Sequence, residues 1–329
     1  MLISSCFNFN QMSSLTHPFK LGSLNLASRL IQGPLAGFSC APFRKLFYQF
    51  TPPAYCVTEM ISAHDVIYKH PLNSRYLYRA GEEKILCYQI AGTEPEIMAQ
   101  AAVRLENIGA NLIDINCGCP KAKIRKKGAG SALLEEPKLL LQIVQAVEKA
   151  ITIPLTIKIR IQGNISDLEL AKALEQAGVS ALIVHGRRWH DDYEIPSDLE
   201  QIAAIKRSIN IPVIANGDIA DSDSLQKTLL KTDCDAFMIS RAGTGKPWLY
   251  QALEDGKIPS VDLAKQYILF MQHLQDLALL ESEYKAVLQS KSLIRYYFRK
   301  QLDATQLQVF YRLNHLAEVE EKLNEFFAF

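Results

Sequence analysis

Cys119 is the residue of this chain whose type and setting most clearly allow chemistry. It stands between Gly118 and Pro120, directly after an apolar run, Leu112–Ile115, that predicts a buried strand. Because glycine and proline end such runs, we expect the thiol on a loop, exposed enough to react and held by a rigid strand. Five cations follow in the same loop: Lys121, Lys123, Arg125, Lys126 and Lys127. We expect this cluster to tune the thiol for proton transfer and to bind a polyanion.

Other polar residues interrupt or end apolar runs elsewhere. Lys158 lies inside such a run, where an unpaired ammonium is costly, so we expect it to neutralise an anionic ligand such as a reduced flavin ring. Gln89 suits the pyrimidine edge of a flavin, although taken singly it is more often a structural residue. His185 ends another run and taken singly is as easily structural. The glycine-containing segments Asn216–Gly217 and Arg241–Gly243 suit a phosphate group.

Alternating strand and helix patterns would position these residues. Eight short apolar, β-branched runs predict strands at Arg29–Gly33, Tyr55–Glu59, Lys84–Ile90, Leu112–Asn116, Pro154–Arg160, Ala181–His185, Ile211–Asn216 and Ala236–Ser240. Helical periodicity lies between them, for example at Glu94–Asn107, Pro137–Ala150, Asp167–Ala177 and Leu199–Ser208. Eight such units predict a (β/α)₈ TIM barrel, an α/β fold whose strand ends converge on one mouth. An open doubly wound sheet is the alternative, but no Gly-x-Gly-x-x-Gly follows the first strand.

The sequence changes character after Pro259. Residues 261–329 contain no Gly and no Pro, and they predict an all-α bundle of three or four helices. We therefore predict a disordered extension at 1–16, a catalytic barrel at 17–254 and a helical domain at 255–329.

Composition narrows the function classes. The chain of 329 residues has a net charge of +1, so nucleic acid would have to bind to a local basic cluster. Seven cysteines, an odd number, favour reduced thiols and a cytoplasmic location. No run is apolar enough to span a membrane, and the start lacks a signal-peptide pattern, with Met12 as a possible alternative start. Cys117 and Cys119 have no second ligand pair at zinc spacing, so we predict no metal, and no protein partner is implied.

Taken together, these motifs resemble the tRNA-dihydrouridine synthase family, and the bacterial B-type enzymes most of all. The matching segments run in family order over residues 29–250: Gly33–Gly37, Tyr88–Gly92, Asp114–Pro120, Gly130–Leu134, Lys158–Arg160, His185–Arg187, Ile214–Ile219 and Met238–Arg241.

The resemblance implies an FMN-bound barrel followed by a helical tRNA-binding domain. Reduced FMN would give a hydride to C6 of a D-loop uridine, Cys119 would protonate C5, and NADPH would reduce the flavin again. The FMN set carried over by position is Pro34, Leu35, Ala36, Gln89, Lys158, His185, Asn216, Gly217, Asp218, Ser240 and Arg241. The substrate set is Asn116, on the uracil side, with Lys121, Lys123, Arg125, Lys126, Lys127 and Arg187. B-type similarity favours position 17 over position 16.

The chain departs from the family pattern at several positions. Leu35 stands for the usual Met, Ser240 stands for the usual Gly before Arg241, and Ile195 stands for the Gly of a Tyr-x-Gly pattern. The basic cluster expected in the helical domain is missing, and an alternative basic face is offered by Lys291, Arg295 and Arg299 at helical spacing.

Two other functions remain open at this point. One is a flavin barrel acting on a free pyrimidine, which would need neither a basic loop nor a helical tail. The other is a tRNA-binding module without catalysis, against which the presence of Cys119, Lys158 and His185 argues.

Overall fold

A closed barrel of parallel strands forms the larger part of the computed structural model, which describes residues 17–327. The barrel strands are β3 (Leu30–Gln32), β4 (Cys56–Val57), β6 (Leu86–Ala91), β7 (Leu112–Cys117), β8 (Leu155–Arg160), β9 (Ala181–His185), β10 (Val213–Asn216) and β11 (Ala236–Ile239). All neighbouring pairs are parallel, and β4 closes the ring because Cys56 pairs with both Gln32 and Leu86. This confirms the TIM barrel predicted from the sequence.

Helices cover the outside of the ring, as the connections between parallel strands require. They are α1 (Ala41–Lys45), α2 (Ala63–Tyr68), α3 (Pro95–Asn107), α4 (Ala122–Arg125), α5 (Pro137–Ala150), α6 (Ser166–Gln176), α7 (Leu199–Ser208), α8 (Ser222–Thr232) and α9 (Leu249–Asp255). Short 3₁₀ turns lie at Leu46–Gln49, Gly130–Glu135 and Arg241–Gly243.

The second barrel strand is shorter than predicted. It breaks after Val57 and resumes as β5 (Ile61–Ser62), which also pairs with β6. At the break, the Glu59 side chain is bonded to two other parts of the chain. Its carboxylate accepts a hydrogen bond from Gly37 N at 2.6 Å and forms an ion pair with Arg75 at 2.7 Å. The sequence pattern continues through the break because Thr58 and Glu59 are themselves buried.

One end of the barrel is closed by an antiparallel hairpin, β1 (Phe19–Leu21) and β2 (Leu24–Leu26). Leu21 and Leu26 pack with inward residues near the strand starts, such as Leu112 and Ala236. The hairpin therefore covers the N-terminal end, and the polar residues at the strand C-termini face the open end.

The C-terminal region contains four helices: α10 (Leu263–Leu280), α11 (Glu283–Phe298), α12 (Ala304–Phe310) and α13 (Leu316–Phe327). Their shared core includes Phe270, Leu293 and Phe310 and also takes in Cys40 and Leu46 from the barrel side. The helical region is thus confirmed, whereas the domain limits at 254 and 255 stay a prediction. None of the helices in the described part of the chain is long and apolar enough to cross a membrane.

Candidate active site at the barrel mouth

A cavity of about 1430 Å³ opens at the C-terminal ends of the barrel strands. Its lining includes most of the residues predicted to act: Pro34, Leu35, Ala36, Gln89, Asn116, Cys119, Lys121, Lys158, His185, Arg187, Asn216, Gly217, Asp218, Ser240 and Arg241. Four predicted residues lie outside this lining: Lys123, Arg125, Lys126 and Lys127.

The floor of the cavity is a chain of hydrogen-bonded side chains that begins at buried Asp114. Asp114 accepts from Thr156 Oγ1 and from Gln89 Nε2, both at 2.7 Å. Gln89 Oε1 accepts from Asn116 Nδ2 at 2.8 Å, and Asn116 Oδ1 accepts from the backbone N–H of Cys119 at 3.0 Å. Each amide orientation is therefore fixed by its neighbour, and the bond from Asn116 to the Cys119 backbone holds the start of the Cys119 loop in place.

Burial shifts the pKa values of two ionisable groups on this floor. Desolvation raises the pKa of Asp114 to about 6, although hydrogen bonds from Gln89 and Thr156 oppose the shift. Desolvation also lowers the pKa of Lys158 to about 8, against the attraction of Asp114. Lys158 Nζ donates to Asn216 Oδ1 at 2.7 Å. The ammonium at the end of this lysine is thus held in place by a neutral partner, and its charge is available to an anionic ligand.

His185 lies near several cations and carries no charge at neutral pH. The pKa of His185 is lowered to about 2. Desolvation is the largest cause, and repulsion from Lys158, Arg160 and Arg187 adds to it. Its Nε2 lies 3.4 Å from Arg187 Nη1, which assigns the acceptor role to this nitrogen. A neutral imidazole can then donate from Nδ1 to a ligand.

Arg187, predicted to contact the substrate, lines the cavity and also has partners within the protein. It is 1% exposed, and its Nη2 donates to both carboxylate oxygens of Asp218 at 2.7 Å. Asp218 has a φ of 56°, directly after Gly217, where a Cβ would come within 2.6 Å of Ser197 Oγ. Arg187 therefore fixes the turn at Gly217 and Asp218, which we predict to bind phosphate.

The two cysteines of the central motif have different surroundings. Cys117 ends β7 and is fully buried, and desolvation raises the pKa of its thiol far above its usual value, which confirms its expected packing role. Cys119 is partly exposed and lines the cavity. Its carbonyl accepts from Ser131 Oγ at 3.0 Å, and the carbonyl of Gly118 accepts from Arg160 Nε at 3.0 Å. Of the two cysteines, Cys119 is therefore the one that a ligand in the cavity can reach.

Two comparisons with known proteins bear on this site. The family model for dihydrouridine synthase (Dus) matches residues 31–328. The chain belongs to the dihydrouridine synthase family. It is 35% identical over 316 residues to a tRNA-dihydrouridine synthase B of Shewanella oneidensis, covering 94% of this chain and 98% of that protein. It is 34% identical over 320 residues to a tRNA-dihydrouridine synthase B of Pseudomonas aeruginosa, covering 94% of this chain and 96% of the relative.

Solved structures support the fold of this synthase. A histamine dehydrogenase from Rhizobium sp. 4-9 matches with a TM-score of 0.59 at 13% identity, over 81% of this chain and 51% of that one. The chain therefore spans about half of that protein's length. Morphinone reductase in complex with tetrahydroNAD matches with a TM-score of 0.54 at 14% identity, over 77% and 93% of the two chains. At such identities the likeness concerns the barrel alone.

The cavity of this synthase fits the flavin that its family implies. Gln89 and Asn116 present amides at the floor, and buried Lys158 presents the one ammonium needed beside an anionic ring. A Cβ at Gly217 would come within 2.6 Å of Ser197 Oγ and 3.0 Å of the His185 ring, so this turn, which we predict to bind phosphate, requires glycine. Within residues 17–327, no group of three or more His, Cys, Asp and Glu side chains is arranged to hold a metal ion.

The structure adds residues that were absent from the predicted set. Arg160 lines the cavity and interacts electrostatically with Cys119. Its position two residues after Lys158 on one strand places both on the same face, a signal that the sequence does carry. Tyr193 also lines the cavity and stacks on the Arg241 guanidinium at 3.8 Å. From the helical region, Tyr296 and Lys300 are additional, whereas Arg295 and Arg299 belong to the alternative basic face that the sequence had indicated.

Proposed function

We propose that this synthase reduces a D-loop uridine of tRNA to 5,6-dihydrouridine, with FMN as the bound cofactor and NADPH as the reductant. The observation that carries the proposal is the partly exposed Cys119 thiol at the rim of a cavity whose floor holds Lys158 and Asn116. Family membership and relatives named tRNA-dihydrouridine synthase B support the same reaction.

The proposed chemistry assigns one task to each part of the mouth. Reduced FMN, when bound, supplies the hydride for C6 of the uracil. Cys119 gives its proton to C5, which completes the addition of two hydrogens across the double bond. Asn116, oriented through its bond to Gln89, contacts the uracil. Lys158, Asn216 and the turns at Gly217 and Arg241 hold the flavin.

RNA binding would use surfaces outside the cavity floor. A uracil must leave its stack to reach a cavity of this depth, while its phosphates stay outside. Lys121, Lys123, Lys126 and Lys127 are exposed in the loop after Cys119, and Arg295 and Arg299 line the cavity from the helical region. Two sets of basic residues around one cavity favour a large folded RNA over a free nucleoside. Such a substrate also agrees with the cytoplasmic location that we propose.

The decisive experiment is an anaerobic half-reaction. The purified protein, reduced with one equivalent of NADPH, is mixed with unmodified tRNA transcript or with free uridine, and flavin absorbance reports reoxidation. We expect reoxidation by tRNA and none by free uridine at the same concentration. Transcripts carrying cytidine at position 16 or at position 17 then identify the target, which we propose is position 17. A colourless protein, or equal reaction with free uridine, would refute the proposal.

A further inference from the structure

Trp189, in the loop after β9, is unusually exposed for a tryptophan. Its side chain is 42% exposed, and the guanidinium carbon of Arg125 lies 3.8 Å from the centroid of its ring. The neighbouring His190 ring meets the indole edge-on, with centroids 5.4 Å apart. One part of the indole is thus stacked on a cation, and a large part still faces water.

A series of contacts connects this indole to the loop of Cys119. Arg125 Nη1 donates to Ser131 Oγ at 3.0 Å, and Ser131 Oγ donates to the carbonyl of Cys119 at 3.0 Å. Arg160 makes a second connection, because it donates to the carbonyl of Gly118 on one side and to that of Arg188 on the other. Trp189 is therefore linked through Arg125 and Ser131 to the backbone of Cys119, the residue that we propose protonates the uracil.

Arg125 is already engaged and is a poor candidate for a free phosphate ligand. Besides Ser131 and Trp189, it contacts Glu135 at 2.6 Å and is 15% exposed. The four lysines of the same loop are exposed, and none of them forms an ion pair with any residue in the described range 17–327. An exposed indole on a rigid support beside free cations is the arrangement with which proteins bind unpaired nucleotides.

A purely structural role would not need this exposure. A latch between the two loops is already formed by Arg160, which donates to the carbonyls of Gly118 and Arg188. Burying the indole against Arg125 would stabilise such a latch, whereas 42% exposure leaves apolar surface in water. The exposed area is better explained by a flat ligand that covers it.

We propose that Trp189 stacks on a nucleobase of the tRNA loop that neighbours the extruded uridine, and that Arg125 supports the indole from its other side. This inference rests on the proposed function and names a contact outside the cavity that holds the reacting base. The stack would keep the neighbouring nucleotide at the rim while the uridine enters the mouth.

Three substitutions at position 189 test the proposal. Trp189→Phe keeps a π face, Trp189→Leu keeps apolar cover on Arg125 without one, and Trp189→Ala removes both. We expect Leu and Ala to weaken tRNA binding about 5- to 150-fold, the range measured for base stacking, and Phe to stay within about threefold of wild type. The rate of flavin reoxidation at saturating tRNA should be unchanged in all three. The dependence of affinity on salt should keep its slope, because a neutral side chain releases no counterions.

A fluorescence measurement tests the contact directly. The chain has two tryptophans, Trp189 and Trp248, so Trp248→Phe leaves Trp189 as the only indole. A stacked base should quench that emission when tRNA is added to the flavin-loaded protein, with the same midpoint as binding.

Several outcomes would overturn the inference. An affinity of Trp189→Leu equal to that of wild type, or of Trp189→Phe equal to that of Trp189→Ala, would exclude a stacking role. A lower saturating rate with unchanged affinity would make Trp189 a positioning residue for the Cys119 loop instead. If wild-type protein fails to react with tRNA at all, the proposed function itself is wrong, and the stacking role is then tested by comparing wild type and the three variants for binding to single-stranded RNA in a filter-binding assay.

Discussion

The floor and the rim of the barrel mouth differ in how their polar groups are satisfied. On the floor, Asp114, Gln89, Asn116 and Lys158 are buried and each side chain is hydrogen-bonded to another residue of the protein. On the rim, the lysines after Cys119 are exposed and carry no ion pair with any residue from 17 to 327.

This difference matches two kinds of ligand. A buried polar network is rigid because every unpaired group would cost desolvation energy, and it suits a cofactor that always binds in one pose. Exposed lysines keep their rotamer freedom and suit a large polyanion that arrives and leaves in each cycle. Cys119 lies where the two regions meet, since its backbone is bonded to the floor and its loop continues into the rim.

The largest expected effect is at this meeting point. Cys119→Ala should lower the rate of flavin reoxidation by tRNA about 10²- to 10⁴-fold, because the proton for C5 is lost. Flavin reduction by NADPH should keep its wild-type rate, since that step needs no proton at the uracil. Stopped-flow absorbance measures both half-reactions.

Cys117→Ala is the matched control for this prediction. Its thiol is buried, so the variant should keep most of its activity and lose only packing. Equal losses in the two cysteine variants would mean that the division of roles is wrong.

Arg241→Ala should produce the next largest effect. Loss of a charge-assisted contact to the phosphate should cost about 1.5–3 kcal/mol of FMN affinity, or about 10- to 150-fold. Flavin content after gel filtration measures this loss. Arg207→Ala, at an exposed position on an outer helix, should retain its flavin. If Arg241→Ala retains all of its flavin, the turn at Arg241 is not part of the cofactor site.

The buried floor should make stability depend on pH. The folded pKa of Asp114, about 6, lies above its usual value of 3.8, so the folded state favours the protonated form. Its contribution to stability is therefore complete below about pH 3.8 and is lost as pH rises through 6, by at most about 1.4 kcal/mol per pH unit. The free energy of unfolding of wild type and of Asp114→Asn is measured by urea denaturation. As pH rises from about 3.8 to 6, wild type should lose stability relative to Asp114→Asn. A difference that stays constant from pH 4 to pH 7 would show that Asp114 keeps its charge.

The rim should give the smallest effect at any one salt concentration. Replacing Lys123, Lys126 and Lys127 with glutamine should lower tRNA affinity only a few-fold per residue, but it should reduce the slope of log affinity against log salt by about 2. Filter binding from low to high salt measures the slope.

A control triple on the outer helices tests whether position matters. Glutamine at Lys149, Lys172 and Lys227, all exposed, removes the same charge far from the mouth and should leave the slope nearly unchanged. Similar slopes for the two triple variants would mean that the Cys119 loop is ordinary solvated surface.

Sequence patterns predicted the strands well because a barrel strand is buried on both faces. Runs of β-branched and apolar residues, such as Ala181–His185 and Leu112–Asn116, have no other stable place in an α/β fold. The second strand escaped this rule. Its break after Val57 depends on the pairing of Glu59 with Arg75 and with Gly37 N, and neither partner is adjacent in sequence.

The candidate site shows the same division. The motif around Cys119 was readable because glycine and proline place that thiol on a loop by local conformation alone. The different partners of the arginines could not be predicted from the sequence. Arg187 is buried and pairs with Asp218, Arg125 stacks on Trp189, and Arg160 donates to the backbone carbonyls of Gly118 and Arg188.

The sequence by itself therefore determined the eight-stranded barrel, the helical region after it and which residue types gather at the strand ends. Periodicity and turn chemistry are local properties, and the closure of parallel strands brings their C-termini together without further information. Only the tertiary structure decided which charged side chains bond to partners inside the protein and which stay exposed to solvent without such a partner. That choice depends on distances between residues far apart in the chain, and on burial, which decides whether an ion is paired, neutralised or left in water.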